Sequence, residues 1–197
     1  MSDIVPQQPS AYPVTFDVER QLTERNRLTV GFRYFLAIPH LLIVSALGSV
    51  AEIVGVISWF AILFTGAQPR GLWDFNALYM RWYSRAYAYI ALLRDDYPPF
   101  GDMPYPTTFE VSYPAEPRDR MSVGLRIFYV IPHLIVLSLL GIAWYVTTII
   151  AWFAILFTGE YPQGLYEFGV NVMRYSVRVL SYFLLMHDKF PPFGLQP

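Results

Sequence analysis

Apolar and polar positions follow one sequence of patterns that occurs twice along the chain. Val14, Phe16 and Val18 alternate with Thr15 and Asp17, and Thr107, Phe109 and Val111 alternate with Thr108 and Glu110. This period of two predicts a short strand at the head of each unit. Next come Tyr34 to Gly66 and Ile127 to Gly159, two apolar runs of 33 residues without Lys or Arg, in which Glu52 is the only acidic residue. Each run is too long for a single crossing of a bilayer, which takes about 20 apolar residues. Divided near Gly48 and Gly141 and extended by the flanking residues, each predicts a tight transmembrane hairpin, over about 28–66 and about 121–159. Four spans follow, with helices rather than strands because only a helix satisfies its own backbone in lipid.

The third pattern predicts a long amphipathic helix, over about 70–94 in the first unit and about 163–187 in the second. In the first copy Leu72, Phe75, Tyr79, Trp82, Ala86, Tyr89 and Leu93 recur at three and four. Asp74, Arg81 and Arg85 form a separate stripe, repeated as Glu167, Asn171, Arg174 and Arg178. A carboxylate thus lies about two turns before an Arg in each copy, which suggests a structural ion-pair stripe, with anionic-lipid recognition as the other reading. Trp and Tyr on the remaining face favour the headgroup level. Two Arg at mid-bilayer would each cost about 2.5–3.5 kcal/mol, so the helix is placed in the interface. All 14 Lys and Arg then fall on one side of the membrane, as the positive-inside bias prefers.

Sliding the chain on itself by 93 residues aligns Tyr12 to Pro104 with Tyr105 to Pro197 without a gap and with about 42 identities. WFAILFTG recurs unchanged, and PPFG ends each unit at 98–101 and 191–194. A double proline terminates what precedes it. The layout is a disordered N-terminal tail over 1–11, repeat 1 over 12–101, a junction at 102–104 opening the Pro-rich linker 102–119, and repeat 2 over 105–197. The polar first residues predict no cleavable signal peptide.

Composition agrees with a membrane class: 55% hydrophobic, 18% aromatic and 15% charged residues. A net charge of −1 gives no basic balance for nucleic acid, and the absence of cysteine excludes disulfides, thiolate metal sites and Cys nucleophiles. The chain carries no Walker loop, GxSxG elbow, HExxH helix or GxGxxG, so no enzyme is expected. No cofactor or metal is expected either.

The segments IPHL, WFAILFTG, P-x-G-L-x-[DE]-F, the following Met-Arg and D-x-[YF]-P-P-F resemble two copies of the domain-of-unknown-function family 4389, over nearly all of 12–194. The resemblance implies a multi-pass membrane protein of bacterial origin and no known activity.

Within the spans Arg33, His40, Arg126 and His133 are the candidate polar or lipid-binding groups. Pro39-His40 and Pro132-His133 hold equivalent places. Either the two imidazoles face each other across the repeat axis, as for a haem, a metal or a proton relay, or each caps a carbonyl freed by the proline. The second reading is preferred. Arg33 and Arg126 would snorkel, bind a lipid phosphate or pair with Asp74 and Glu167. The Thr-Gly of each octapeptide predicts a helix end, and Glu52 is read as solvated beside an external turn. The whole suggests a mainly α integral membrane protein of two tandem repeats. It is placed in the plasma membrane with both termini cytoplasmic, partnered by lipids and by other membrane subunits, as a non-enzymatic accessory or scaffolding subunit of an envelope complex. A lipid or small-solute transporter and a bis-His haem protein are the alternatives.

Overall fold

The two predicted strands pair with each other. In the computed structural model, which describes residues 12–101, 103–114 and 117–195, β1 (Val14–Val18) and β2 (Thr107–Val111) form an antiparallel ribbon with Phe16 opposite Phe109. Phe109 is the counterpart of Phe16 in the second repeat, so the ribbon sets a pseudo-twofold axis through this pair. Its inward residues Val14, Phe16 and Val18 are buried while Thr15 and Asp17 are exposed, as the alternation requires. The expected tail over 1–11 lies outside the described residues.

Each repeat continues with a short helix, a long helix and a returning helix. These are α1 (Arg27–Gly31), α2 (Arg33–Thr65) and α3 (Arg70–Ile90) in the first, α4 (Arg120–Gly124), α5 (Arg126–Thr158) and α6 (Gln163–Phe183) in the second. The side chains of Asn26 and Asp119 cap α1 and α4 by accepting from backbone amides. Gly66 and Gly159, at φ 78° and 80°, end α2 and α5 in the left-handed geometry expected of the Thr-Gly pairs. The returning helices stop four residues earlier than the periodicity suggests, with buried Leu92 and Leu185 in the left-handed region. There Leu93 and Met186 donate to the carbonyls of Ala88 and Ser181, five residues back.

The predicted hairpins do not form. α2 and α5 each run unbroken for 33 residues through Gly48 and Gly141, so there are two long apolar helices and not four short ones. A lone glycine costs a helix about 1 kcal/mol. LLGIAWY offers no second turn residue, and in ALGSVAE the Ser49 hydroxyl bonds back to the Ser45 carbonyl within the continuous helix. Pro39 and Pro132 fall in the second turn and are accommodated. Both helices are long and apolar enough to cross a membrane. At 1.5 Å per residue each is about 50 Å long, against a hydrocarbon core of about 30 Å.

Contacts between the repeats fix how the long helices run. α1, which opens α2, lies on the far end of α5: Trp152 Nε1 donates to the Val30 carbonyl at 2.9 Å and the Arg25 amide to the Gly159 carbonyl at 3.2 Å. The mirrored pair is Trp59 Nε1 to the Val123 carbonyl at 2.9 Å and the Arg118 amide to the Gly66 carbonyl at 2.9 Å. The start of each long helix therefore meets the end of the other, and α2 and α5 are antiparallel.

α3 and α6 return along α2 and α5 with their Tyr79, Trp82 and Tyr175 sides toward the long helices. Their opposite side carries the ribbon, held by Arg174 Nε on the Phe16 carbonyl at 3.2 Å. The order of layers is long helices, returning helices, ribbon. α3 and α6 accordingly lie between the long helices and the ribbon, covered by protein on both sides. α6 buries Tyr166, Tyr175 and Tyr182, aromatic positions that the sequence suggests for a headgroup layer, together with Met173 and Val177. The long helices are the exposed ones. α2 buries one stripe, Arg33, Ala37, His40, Val44, Ala51, Val54, Ser58 and Ile62, and leaves the rest of its apolar circumference uncovered, with Phe35 72% and Phe64 77% exposed.

Candidate functional site: two end clamps and a central crevice

The candidate polar groups gather in two clamps, one at each end of the long helices. Arg33 is fully buried and donates through Nη2 to Asp95 at 2.6 Å and through Nη1 to the Arg94 carbonyl at 2.7 Å. Arg25 holds the same carboxylate through Nε at 2.9 Å and Nη2 at 2.7 Å. The Tyr89 ring lies 3.9 Å from the Arg33 guanidinium carbon. The second repeat reproduces every part. Arg126 and Arg118 both reach Asp188 at 2.7 Å, and Tyr182 lies 4.1 Å from Arg126. Burial works to raise both carboxyls, but the hydrogen bonds and charges of the paired arginines outweigh it and hold Asp95 and Asp188 below the usual carboxylate range. Arg33 and Arg126 thus neither snorkel nor face a lipid phosphate, and their partners are not Asp74 and Glu167.

The same Asp-containing motif explains why PPFG recurs. In each repeat the segment after the Asp folds over the histidine of the long helix. His40 lies between Tyr97 and Phe100, with ring centroids at 4.8 and 4.5 Å and with Trp82 at 5.9 Å. His133 lies between Phe190 and Phe193, at 4.7 and 4.2 Å, and its Nδ1 shares a 2.6 Å hydrogen bond with the Tyr175 hydroxyl. The double proline fixes the extended turn that carries the second aromatic ring to the imidazole. Each histidine is enclosed by aromatic rings of its own repeat, so the two do not face each other. Nor do they repair the helix at the proline: His40 interacts with the Pro98 backbone of its own PPFG turn, outside good hydrogen-bond geometry, and among the described residues Nε2 of His133 lacks a hydrogen-bond partner.

His187 occupies the place that Arg94 takes in the first repeat. Burial, with the charges of Arg126 and Arg118 added, pushes it down to about 3.

The stripe carboxylates do not pair with the stripe arginines. Asp74 pairs with Arg70 at 3.0 Å, and Glu167 with Arg20 at 3.2 Å. Arg85 donates to the Gly101 carbonyl at 2.7 Å, and Arg174 bridges Asp17 at 2.9 Å and Asn171 at 3.2 Å. Arg178 is buried near the Tyr12 ring, and Arg81 lines a surface hollow with β2. These arginines attach the ribbon and loops to the returning helices. Missed in the sequence were Arg25, Arg118, Asp95 and Asp188; their signal was the identity of all four between the repeats.

The remaining feature is a crevice made of two adjoining hollows at mid-length that share Tyr87, one between α2 and α3 and the other between α3, α5 and α6. Its first part, about 610 Å³, is lined by Leu41, Ser45, Gly48, Ser49 and Glu52 of α2 with Tyr79 and Tyr87 of α3. Its second part, about 370 Å³, shares Tyr87 and is lined by Leu137, Gly141 and Trp144 of α5 and by residues of α6. With no turn at Gly48, Glu52 belongs to this crevice and not to an external loop. Among the described residues no group of three or more His, Asp or Glu could hold a metal.

The motifs that build the clamps are also those that decide the family. The family model described as "Domain of unknown function (DUF4389)" matches residues 27–101 and again 120–194. The chain belongs to that family, as two tandem copies of its domain. Each copy runs from the short helix to PPFG, so the DUF4389 unit comprises the inner arginine and the aspartate of the clamp, the long helix and the histidine cage, while the outer arginines Arg25 and Arg118 precede it. The ribbon strands lie outside both matched segments. No curated protein and no solved structure matches the chain.

Proposed function

We propose that this DUF4389 protein is embedded in one leaflet of a membrane, with α2 and α5 lying in the membrane plane and the ribbon facing the aqueous side, as a non-enzymatic accessory subunit. The observation that carries the reading is the level of the ribbon. Arg174, which holds Phe16, stands two residues from Val172, which lines the crevice together with Gly141 at the middle of α5. Were the long helices to cross a bilayer, the ribbon would sit at its midplane. Its exposed Thr15, Asp17, Thr108 and Glu110 and its unpaired edges would then lie in hydrocarbon, where unsatisfied backbone costs several kcal/mol per group.

Charge favours the same orientation. Arg25, Arg27 and Arg33 stand at one end of the helix pair and Arg118, Arg120 and Arg126 at the other, so crossing helices would carry equal positive charge on both sides. In the plane both ends lie at one depth, on the cytoplasmic side that the positive-inside bias prefers. The apolar circumference of α2 and α5 is then covered by acyl chains, and the polar ribbon side remains for protein partners. A one-sided protein offers no route across the bilayer, which favours the accessory role over a transporter.

Spin labels at Leu42, Ile53 and Phe64 test the orientation in reconstituted vesicles. Equal depths support it, and a gradient from one surface through the midplane to the other overturns it. Repeated recovery of the protein alone from native membranes would overturn the accessory role.

A further inference from the structure

The two repeats agree where they build the clamps and differ where they line the crevice. Arg25, Arg33, His40, Trp59, Gly66, Tyr89, Asp95 and Phe100 recur unchanged in the second copy. Ser49 corresponds to Ile142, Ala51 to Trp144 and Glu52 to Tyr145, while Tyr79, Tyr83 and Tyr87 become Val172, Ser176 and Leu180. No position from 49 to 56 matches its partner from 142 to 149. Packing of a symmetric bundle alone would tolerate the same residues in both halves. A crevice divided into a polar half and an apolar half fits one asymmetric occupant.

We propose that the crevice binds a single membrane lipid carrying an ammonium headgroup. The inference rests on the leaflet reading above, in which the long helices lie among the acyl chains and α3, which lines both hollows, lies on their aqueous side. Glu52, the only charged residue inside the long apolar segments, sits with the Tyr79 and Tyr87 rings and with Ser45 and Ser49. A carboxylate beside electron-rich aromatic faces suits a cationic amine and disfavours an anionic head. Leu134, Leu137, Val179 and Phe183 of the other half provide an apolar wall for an acyl chain. The combined size falls within the range of small-molecule sites, about 300–1,000 Å³. Gly48 and Gly141 keep the floor of the crevice open. A Cβ on Gly48 would come within 3.3 Å of the Tyr79 hydroxyl, whereas one on Gly141 would meet nothing within 4 Å.

The test uses the whole protein in vesicles of equimolar phosphatidylethanolamine and phosphatidylglycerol. Flotation is measured first. The protein is then extracted in mild detergent, its retained lipid quantified by mass spectrometry and its oligomeric state measured by light scattering. The expected result is phosphatidylethanolamine retained over phosphatidylglycerol, an about fivefold loss of that preference in Glu52→Gln, and loss of bound lipid in Gly141→Leu, whose Cβ meets nothing within 4 Å. Both variants float like the native protein. Equal retention of the two lipids, an unchanged preference in Glu52→Gln, or a lipid-free dimer filling the crevice overturns the proposal while leaving the leaflet reading intact. Failure of the native protein to float overturns both.

Discussion

The ends and the middle of this molecule are built on opposite rules. At the ends, duplicated sequence gives duplicated structure: two arginines on one aspartate, a tyrosine under the inner arginine and a histidine caged by the Pro-Pro-Phe turn, each present twice. In the middle the same two long helices carry different side chains on either side of one crevice. The ends are where chain reversal, buried charge and contacts between the repeats coincide, and a change there must be matched by several partners. The crevice wall borders open space, and its residues can differ without unseating a neighbour. Identity between repeats therefore marks the scaffold here, and divergence marks the place where the halves took separate roles.

The largest effect that can break this comparison comes from the clamps. Asp95→Asn leaves Arg25 and Arg33 buried without a counter-charge and is expected to cost about 3–5 kcal/mol in denaturant unfolding. Asp188→Asn should cost less, because the Asp188 side chain is 26% exposed against 9% for Asp95. Equal costs would show that the two clamps are energetically the same.

Next is pH. His187 is neutral in the folded protein down to about 3, whereas the unfolded chain takes up its proton near 6.5, so between these values unfolding binds a proton. Stability should fall on acidification through that window by up to about 1.4 kcal/mol per pH unit. His187→Gln should reduce the slope down to about pH 4, leaving the share of the other buried histidines, His40 and His133. Below that, Asp95 and Asp188, held low in the fold, lose their contribution as they protonate. A slope unchanged in His187→Gln would assign the dependence elsewhere.

The histidine cages separate the repeats more finely. His133→Phe removes a buried hydrogen bond and strands the Tyr175 hydroxyl, an expected loss of about 1–3 kcal/mol. His40→Phe gives up only a poorly aligned interaction with the Pro98 backbone and should cost less than His133→Phe by thermal unfolding. The smallest expected difference is between glycines. Gly141→Ala should add about 0.5–1 kcal/mol as a helix residue with open space around it, and Gly66→Ala should lose about 1 kcal/mol or more from its positive φ.

Much of the scaffold was legible in the residues. Alternation at 14–18 and 107–111 located both strands, the Thr-Gly pairs located the ends of the long helices, and the three-four spacing located α3 and α6 within a turn. What was not legible is long-range. Nothing local says that the strand of one repeat pairs with the strand of the other, and that pairing is what turns the amphipathic helices inward. The hairpin expectation failed because length was allowed to decide. A run too long to cross a bilayer was divided at its glycine, although one glycine costs a helix too little to force a turn. The clamp was half legible: Arg33 and Arg126 stood out as charges beside apolar runs, while their aspartates passed as punctuation before the prolines.

The central claim, that both ends of the long helices lie at one depth on one side, is tested most directly by a pair of equivalent positions. Ala67 and Glu160 are exposed just beyond Gly66 and Gly159, at opposite ends of the antiparallel pair. The chain has no cysteine, so Ala67→Cys and Glu160→Cys can be made singly and treated with a membrane-impermeant thiol reagent in sealed vesicles of uniform orientation. Labelling of both or of neither is the predicted result; labelling of one with protection of the other would mean that α2 and α5 cross the membrane.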